Sequence, residues 1–186
     1  MATVKSAGKV VLCDASPLIF LAKLNRLDLI ERSTEARVIV LRCVVHEVLS
    51  ARAALVETER LRAWLATVEV VNYEGSLFES QALSLSDRTS LAWDFEDTAD
   101  WFLVDERLLR RFAKERGIRV ISFCGLMLRV ADQGISTKSE VLTLLDTSIR
   151  EHGFSISVQL LSLRLSALFK PGSIPNVPLR LDSSVF

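Results

Sequence analysis

The sequence has no excess of charge of either sign and no long apolar run. Lys plus Arg and Asp plus Glu number 23 each, so the formal net charge is zero. Proteins that bind nucleic acid through bulk charge are usually basic, so any polyanion binding must come from a local patch or from metal ions. No apolar stretch reaches membrane-spanning length without charges, and no signal peptide is recognisable before Asp14. We therefore expect a cytoplasmic protein with no membrane segment.

Cysteine and proline are also scarce. The three cysteines, Cys13, Cys43 and Cys124, are odd in number and lie in apolar runs, which indicates reduced thiols and not a disulfide framework or a zinc site. Three of the four prolines follow residue 170. At 186 residues the chain is long enough for one domain with a real core. We predict a single domain over residues 1–170 and a proline-containing tail over residues 171–186.

Short apolar runs alternate with helical patterns along most of the chain. This alternation predicts an α/β fold, a three-layer sandwich whose central, mainly parallel sheet of four or five strands is flanked by helices. Ser16 and Pro17 are expected to open the first helix, with the serine as its cap. The predicted strands are Lys9–Cys13, Arg37–Leu41, Val68–Val71, Trp101–Val104 and Arg119–Ser122. Further helices are predicted to follow the second strand and to cover Ala54–Ala66, the residues up to Trp93, Arg107–Arg116, Leu126–Asp132, Lys138–Glu151 and Ser155–Phe169.

Four acidic residues are candidates for a shared site. Asp14 and Asp105 each end a buried strand, and ligand sites in open parallel sheets lie beyond the carboxyl ends of the strands. Glu47 follows the second strand among Val and Leu residues, where an unpaired charge would be costly to bury. Asp87 lies at a helix start. Mg²⁺ or Mn²⁺ would allow such carboxylates to cluster, because these cations take oxygen ligands.

Simpler readings of the same residues stay open. Acids at strand ends are common in α/β proteins, Asp87 also fits a helix cap, and Ser16 has an adequate role in capping the helix of Pro17. A receiver domain would carry paired acids after the first strand, and an aspartyl phosphatase would carry Asp-x-Asp. Here a single Asp14 is followed by Ala15 and Ser16. Both of those classes are therefore disfavoured.

The acidic strings together resemble the PIN-domain family. The segment from Val11 to Ala22 is similar to the opening of these proteins, in which an Asp ends the first strand and Ser, Thr or Asn follows two residues later. Glu47, Asp87 and Asp105 stand in the right order for the second, third and fourth family acids. Segments after Gly117 and Gly125 are similar to one branch with VapC-like toxins. Two departures from that branch are Leu41 in place of a frequent Pro, and Ser86-Asp87 in place of a frequent Gly-Glu.

The resemblance implies a metal-dependent endoribonuclease, commonly the toxin of a toxin–antitoxin pair. Asp14 and Asp105 would be the core ligands of one or two Mg²⁺ or Mn²⁺ ions, with Glu47 and Asp87 coordinating directly or through water and Ser16 hydrogen-bonding a ligand or a water. A small antitoxin and a homodimer are the implied partners. A PIN-fold binding module without useful catalysis is the alternative.

The residues after Asp105 form a basic concentration close to the candidate site. An RNA backbone could lie along this helix, because its first turn directly follows the fourth acid. A solvated helix face explains the same run equally well. The residues of this predicted RNA-binding surface are Arg107, Arg110, Arg111 and Lys114.

Overall fold

The fold is described from a computed structural model over residues 8–50, 55–97 and 99–155. Its five strands form a single sheet in which every neighbouring pair is parallel, in the order β3-β2-β1-β4-β5. The chain therefore builds outward from β1 to one side, then returns to place β4 on its other side. The strands are β1 (Val10–Cys13), β2 (Arg37–Leu41), β3 (Glu69–Val71), β4 (Trp101–Leu103) and β5 (Val120–Ile121).

Helices connect the strands, as parallel pairing requires. Two helices lie between β1 and β2, and two more lie between β2 and β3. The helices are α1 (Ala15–Lys23), α2 (Leu29–Thr34), α3 (Arg42–Ser50), α4 (Leu55–Leu65), α5 (Leu85–Asp97), α6 (Arg107–Glu115), α7 (Phe123–Asp132) and α8 (Lys138–Arg150). No helix of the described ranges is both long and apolar enough to cross a membrane.

The central strands are buried on both faces. Val11, Leu12 and Cys13 of β1 are fully inaccessible, as are Phe102 and Leu103 of the adjacent β4. A near-continuous apolar strand is what a parallel sheet covered by helices on both faces requires. β1 and β4 pair in parallel, in the register Leu12 to Phe102 and Cys13 to Leu103. Their carboxyl ends therefore meet at the same edge of the sheet.

The predicted α/β architecture with a parallel, helix-flanked sheet is confirmed, and the sheet has the larger of the two predicted strand numbers. The cysteines are free, with Cys13 and Cys124 buried and Cys43 half-buried. Gly117 follows α6 closely and has a positive φ of 78°, a conformation in which glycine commonly ends a helix. The predicted helix Ser155–Phe169, the end of the domain near residue 170 and the tail over residues 171–186 fall beyond Ser155, outside the described residues.

The prediction that Ser16 caps the first helix is wrong. Helix α1 begins at Ala15, and Asp14 occupies the cap position with extended backbone angles, φ −88° and ψ 165°. Pro17 consequently lies at the third position of the helix and not the first. Proline is tolerated there because the N–H groups of the first turn have no acceptor within the helix. The cap residue of α1 is thus the aspartate that directly follows β1.

Candidate active site

Asp14 lies at the centre of the candidate site, at the carboxyl end of β1. Its backbone N–H donates to the Leu103 carbonyl at 3.0 Å, which extends the pairing with β4 by one residue. The residue is 5% exposed, and its carboxylate makes no capping hydrogen bond to α1. Burial raises the pKa of Asp14 to about 7, with further upward contributions from Asp87, Glu47 and Asp105 and a lowering one from the Ala15 N–H. A buried carboxyl group with this pKa needs a proton or a cation near neutral pH.

Asp105 lies two residues after β4, on the neighbouring strand end. Its Oδ1 accepts a hydrogen bond of 2.9 Å from the backbone N–H of Phe123, the first residue of α7. Its Oδ2 is buried and has no hydrogen-bond partner in the described part of the chain. Burial raises the pKa of Asp105 to about 6, opposed by the Phe123 N–H and by the Arg110 charge. A buried carboxylate oxygen without a partner is costly, and a cation or a water molecule bound there would satisfy it.

Asp87 has a structural role at the start of α5. Its Oδ2 accepts from the Ser84 N–H at 3.0 Å, while its own N–H donates to Ser84 Oγ at 3.1 Å. This reciprocal pair is a capping box with aspartate in the place usually taken by Glu or Gln. The predicted helix start is confirmed, and one carboxylate oxygen of Asp87 is already engaged there. The half-buried residue is nevertheless close enough to raise the pKa of Asp14.

Glu47 is exposed, so the prediction that it is a costly buried charge is wrong. Within α3 the buried positions are Val44 and Val48, one turn apart, and Val45 and Leu49 are only half-buried. Glu47 lies on the flank of this buried face, because successive helix residues are about 100° apart and its side chain therefore projects about 60° from Val44 and about 100° from Val48 around the helix axis. The Glu47 carboxylate still raises the pKa of Asp14, so it lies on the rim of the site.

Three of the four candidate carboxylates lie close enough to Asp14 to act on its charge, but they do not form a compact group with it. Glu47, Asp87 and Asp105 all raise the pKa of Asp14. Helices α3 and α5 are in contact, and Ser86 Oγ lies 3.8 Å from Cys43 Sγ, one turn before Glu47. Yet the described residues contain no group of three or more His, Cys, Asp or Glu side chains arranged to hold a metal ion.

Two of the acids fit a hard divalent cation. Asp14 is buried among other carboxylates, and Asp105 has one oxygen fixed by a backbone N–H and one buried oxygen without a partner. Mg²⁺ commonly uses one or two protein carboxylates and fills its remaining positions with water or phosphate oxygens. Ser16 is half-buried in the first turn of α1, two residues after Asp14 in the chain, and its suggested role toward a ligand or water stays a prediction.

The basic surface predicted for RNA lies along α6. Arg107, Arg111 and Lys114 are exposed and Arg110 is half-buried. Arg110 is close enough to Asp105 to lower the pKa of that carboxyl group, so the first turns of α6 adjoin the site. Arg111 forms an exposed ion pair of 3.5 Å with Glu115, which takes up part of its charge. The solvated-face reading and the RNA reading both remain compatible with these positions.

Sequence reasoning missed the residues that support Asp105. Phe123 orients its carboxylate through a backbone N–H, and the Phe123 ring packs edge-on against Phe154 with centroids 4.8 Å apart. Phe20 of α1 completes the group, at 5.0 Å from Phe154 and 5.7 Å from Phe123. A main-chain donor leaves no signature in side-chain identity. The one available signal was the position of Phe123, at the start of the helix that follows β5.

Comparisons with known proteins place this arrangement in context. The family model DUF3368, described as a PIN domain, matches residues 10–169. Among solved structures, the chain is similar to a PilT N-terminus domain protein from the hyperthermophilic archaeon Sulfolobus solfataricus P2, with 14% identity and a TM-score of 0.47 over 63% of this chain and 89% of that one. No curated protein matches the sequence.

Proposed function

Because the chain belongs to the PIN-domain family, we propose that it is a metal-dependent endoribonuclease that hydrolyses RNA phosphodiester bonds. The observation that carries the proposal is the pair formed by Asp14 and Asp105. Both are acids at adjacent strand ends, both have raised pKa values, and Asp105 has a buried oxygen without a partner in the described residues. Neither group has a sufficient structural reason to be ionised there without a cation.

The acids have separate tasks in the proposed mechanism. Asp14 and Asp105 would hold Mg²⁺ or Mn²⁺, and Glu47 and Asp87 would bind at the rim, directly or through water. When bound, such a cation offsets negative charge on the phosphate and acidifies water for attack. Asp105 needs little reorganisation, because the Phe123 N–H already fixes its Oδ1. Asp87 is held by Ser84 and can offer only its other oxygen freely.

The substrate would be bound by the basic side of α6. Arg107 begins the helix two residues after Asp105, and Arg110 is within electrostatic reach of that carboxylate. Arginine forms strong hydrogen bonds to phosphate oxygens, and its positive charge would offset the repulsion between the acids and an RNA backbone. Arg111 and Lys114 continue the same exposed face. Binding would thus depend on salt, even though the whole chain is neutral.

We further propose that the protein is the toxin of a type II toxin–antitoxin pair. The support is the similarity of the segments after Gly117 and Gly125 to the VapC-like branch. A small antitoxin would then bind the acidic site, and the protein would act as a homodimer in the cytoplasm. A short reading frame that overlaps the gene for this chain, and encodes a protein that copurifies with it, would be the expected finding.

Cleavage of a labelled single-stranded RNA tests the nuclease proposal. We expect products with Mn²⁺ or Mg²⁺, no products with EDTA, and none with Asp14→Asn at matched protein concentration. The control is Asp28→Asn, since Asp28 is exposed and ion-paired with Arg26 at 3.2 Å and Arg32 at 3.0 Å on the surface. Undiminished cleavage by Asp14→Asn would contradict the assignment of the site.

A binding module without useful catalysis is the second candidate. The observation that favours it is the lack of three acidic, His or Cys side chains arranged to hold a metal within the described residues. Calorimetric titration with Mn²⁺ separates the two candidates. Saturable binding that Asp105→Asn removes supports the nuclease, whereas no binding at millimolar Mn²⁺ supports the module.

A further inference from the structure

Ser90, in the middle of α5, has a buried hydroxyl group that makes no hydrogen bond within the described part of the chain. The residue is fully inaccessible to solvent. Only one other buried side-chain oxygen or nitrogen of the described residues shares this condition, the Asp105 Oδ2 of the candidate site. A buried hydroxyl group without a partner costs free energy, so an unpaired one in a native protein needs an explanation.

Other buried hydroxyl groups of this protein are satisfied by their own helices. Ser148, which is also fully buried, donates from its Oγ to the Leu144 carbonyl at 2.8 Å. Thr89, the neighbour of Ser90, donates from its Oγ1 to the Leu85 carbonyl at 2.7 Å. Such a bond to the carbonyl one turn earlier is a common solution for Ser and Thr inside helices. Ser90 does not make it, so its hydroxyl group is available to a partner other than the carbonyls of α5.

Ser90 projects into the angle between α3 and the acidic site. One turn earlier on α5, Ser86 faces α3, where its Oγ lies 3.8 Å from Cys43 Sγ. Asp87 lies on the side of Asp14, since its charge raises the pKa of that buried carboxyl group. At about 100° per residue, Ser90 lies about 40° from Ser86 and about 60° from Asp87 around the helix axis, between these two directions. Ser90 therefore faces the interior next to Asp87, about 4.5 Å further along the axis.

Asp87 has one carboxylate oxygen that Ser90 can reach. Its Oδ2 accepts from the Ser84 N–H at 3.0 Å, so Oδ1 is the oxygen left for a cation. Residues three apart on a helix are neighbours, with Cβ atoms about 5–6 Å apart. The Ser90 hydroxyl group and the Asp87 carboxylate can therefore meet directly or across one water molecule. A hydroxyl group can donate a hydrogen bond and an ionised carboxylate only accepts, so the two groups are complementary.

We propose that Ser90 is a positioning residue of the acidic site: its hydroxyl group donates a hydrogen bond to Asp87 Oδ1, directly or across one water molecule, and so orients this carboxylate toward a divalent cation. The proposal rests on the proposed function and adds to it a residue that does not touch the substrate. Hydrogen bonds to metal-binding carboxylates fix their orientation, and loss of such a partner typically weakens metal affinity by about tenfold to a hundredfold. The Phe123 N–H gives this support to Asp105, and Ser90 would give it to Asp87.

The competing explanation is that Ser90 is a small core residue whose unpaired hydroxyl group is only tolerated. The two explanations differ in what Ser90→Ala changes. If the hydroxyl group is only tolerated, its removal should leave metal affinity unchanged and keep or raise the stability of the fold. If it orients Asp87, the same substitution should weaken metal binding, although the metal-free protein loses no hydrogen bond. Metal affinity, measured together with stability, is therefore the informative quantity.

Calorimetric titration of the full chain with Mn²⁺, together with urea unfolding in EDTA, measures both properties. We expect Ser90→Ala to weaken Mn²⁺ affinity by about tenfold and to unfold in EDTA at the same urea concentration as the wild type or at a higher one. Ser90→Cys offers only a weak donor in a similar volume, so it should lose affinity to a similar extent. Ser148→Ala is the matched control, because it removes an equally buried hydroxyl group from α8 and should keep the wild-type affinity.

A double variant tests whether Ser90 acts through Asp87. In a chain that carries Asp87→Ala, the further change Ser90→Ala should alter Mn²⁺ affinity by less than about twofold, because the carboxylate that Ser90 orients is gone. An equal loss with and without Asp87, or wild-type affinity in Ser90→Ala or Ser90→Cys, would overturn the role of Ser90 and leave the nuclease proposal intact. A wild type without saturable Mn²⁺ binding would overturn the proposed metal dependence, and the role of Ser90 with it.

Discussion

Two aspartates at opposite ends of β4 show how differently one residue type is used in this fold. Asp100, before the strand, is exposed, and its Oδ2 accepts from the Val10 N–H at 2.9 Å while its own N–H donates to the Val10 carbonyl. Asp105, after the strand, has a buried oxygen with no partner in the described residues and a pKa raised to about 6. Asp100 is satisfied by the sheet itself. Asp105 keeps binding capacity that the protein does not use, which is a property of functional carboxylates.

The largest expected effect comes from exchanging each of these aspartates for asparagine. Asp105→Asn should lower the rate of RNA cleavage by about a thousandfold or more, because metal stabilisation of the transition state is worth several kcal/mol. Asp100→Asn should change it by less than about threefold, since an amide oxygen can still accept from Val10. The measurement is the rate of RNA cleavage by the wild type and both variants under single-turnover conditions at a fixed Mn²⁺ concentration. Equal losses in the two variants would remove the distinction between the strand ends.

A second, smaller effect concerns stability without metal. Folded Asp14 and Asp105 keep their protons up to pKa values of about 7 and about 6, whereas unfolded carboxyl groups lose theirs near about 4. The folded state binds more protons between these values. The contribution of these two groups to the free energy of unfolding should therefore be highest below about pH 4 and should fall as the pH rises to 7. The fall is at most about 1.4 kcal/mol per pH unit for each group.

Urea unfolding in EDTA at pH 5 and pH 7.5 checks this slope. Asp14→Asn should be more stable than the wild type at pH 7.5 by about 2–4 kcal/mol, because it removes one costly buried ionisation. Added Mn²⁺ should stabilise the wild type and have little effect on the variant. Asp100→Asn serves again as the comparison and should retain the wild-type slope. A wild type with no pH dependence over this range would show that the burial of Asp14 is not costly.

The smallest effect separates the two roles of Asp87. Ser84→Ala removes one half of the capping box and should lower the free energy of unfolding by about 1 kcal/mol, with cleavage changed by less than about twofold. Asp87→Asn should lower cleavage by about tenfold, as expected for a weaker metal contact. Chemical unfolding and cleavage assays on both variants suffice. If Asp87→Asn affects only stability, Asp87 is a cap and not part of the site.

The fold was largely predictable because its strands are short, apolar and regularly separated. Residues Arg37–Leu41 were predicted with the bounds that the structure gives β2, since an apolar run between charged residues permits few alternatives. The rule that parallel strands share their carboxyl edge predicts that Asp14 and Asp105 lie close together if their strands are neighbours, and β1 and β4 do pair. The sequence does not determine the order of the strands in the sheet. A site shared by Asp14 and Asp105 nevertheless requires β1 and β4 to be neighbours.

The less predictable features depend on angle and on main-chain contacts. Glu47 was expected to be buried from its apolar neighbours, yet one helix step turns its side chain away from Val44 and Val48. The cap of α1 was assigned to Ser16 because Ser-Pro is a common helix opening, whereas the strand delivers Asp14 directly into the cap position. The contacts among Phe20, Phe123 and Phe154 join distant segments, so local patterns contain no sign of them.

Because a backbone N–H orients Asp105, almost any residue can supply this hydrogen bond at position 123, and only proline cannot. The donor to Oδ1 is a peptide N–H, which nineteen of the twenty amino acids supply in the same place. Exchanging Phe123 for another residue can loosen the packing but cannot abolish the donor, and proline alone can do so. The orientation of the Asp105 carboxylate therefore depends on the path of the backbone, which single side-chain substitutions change least.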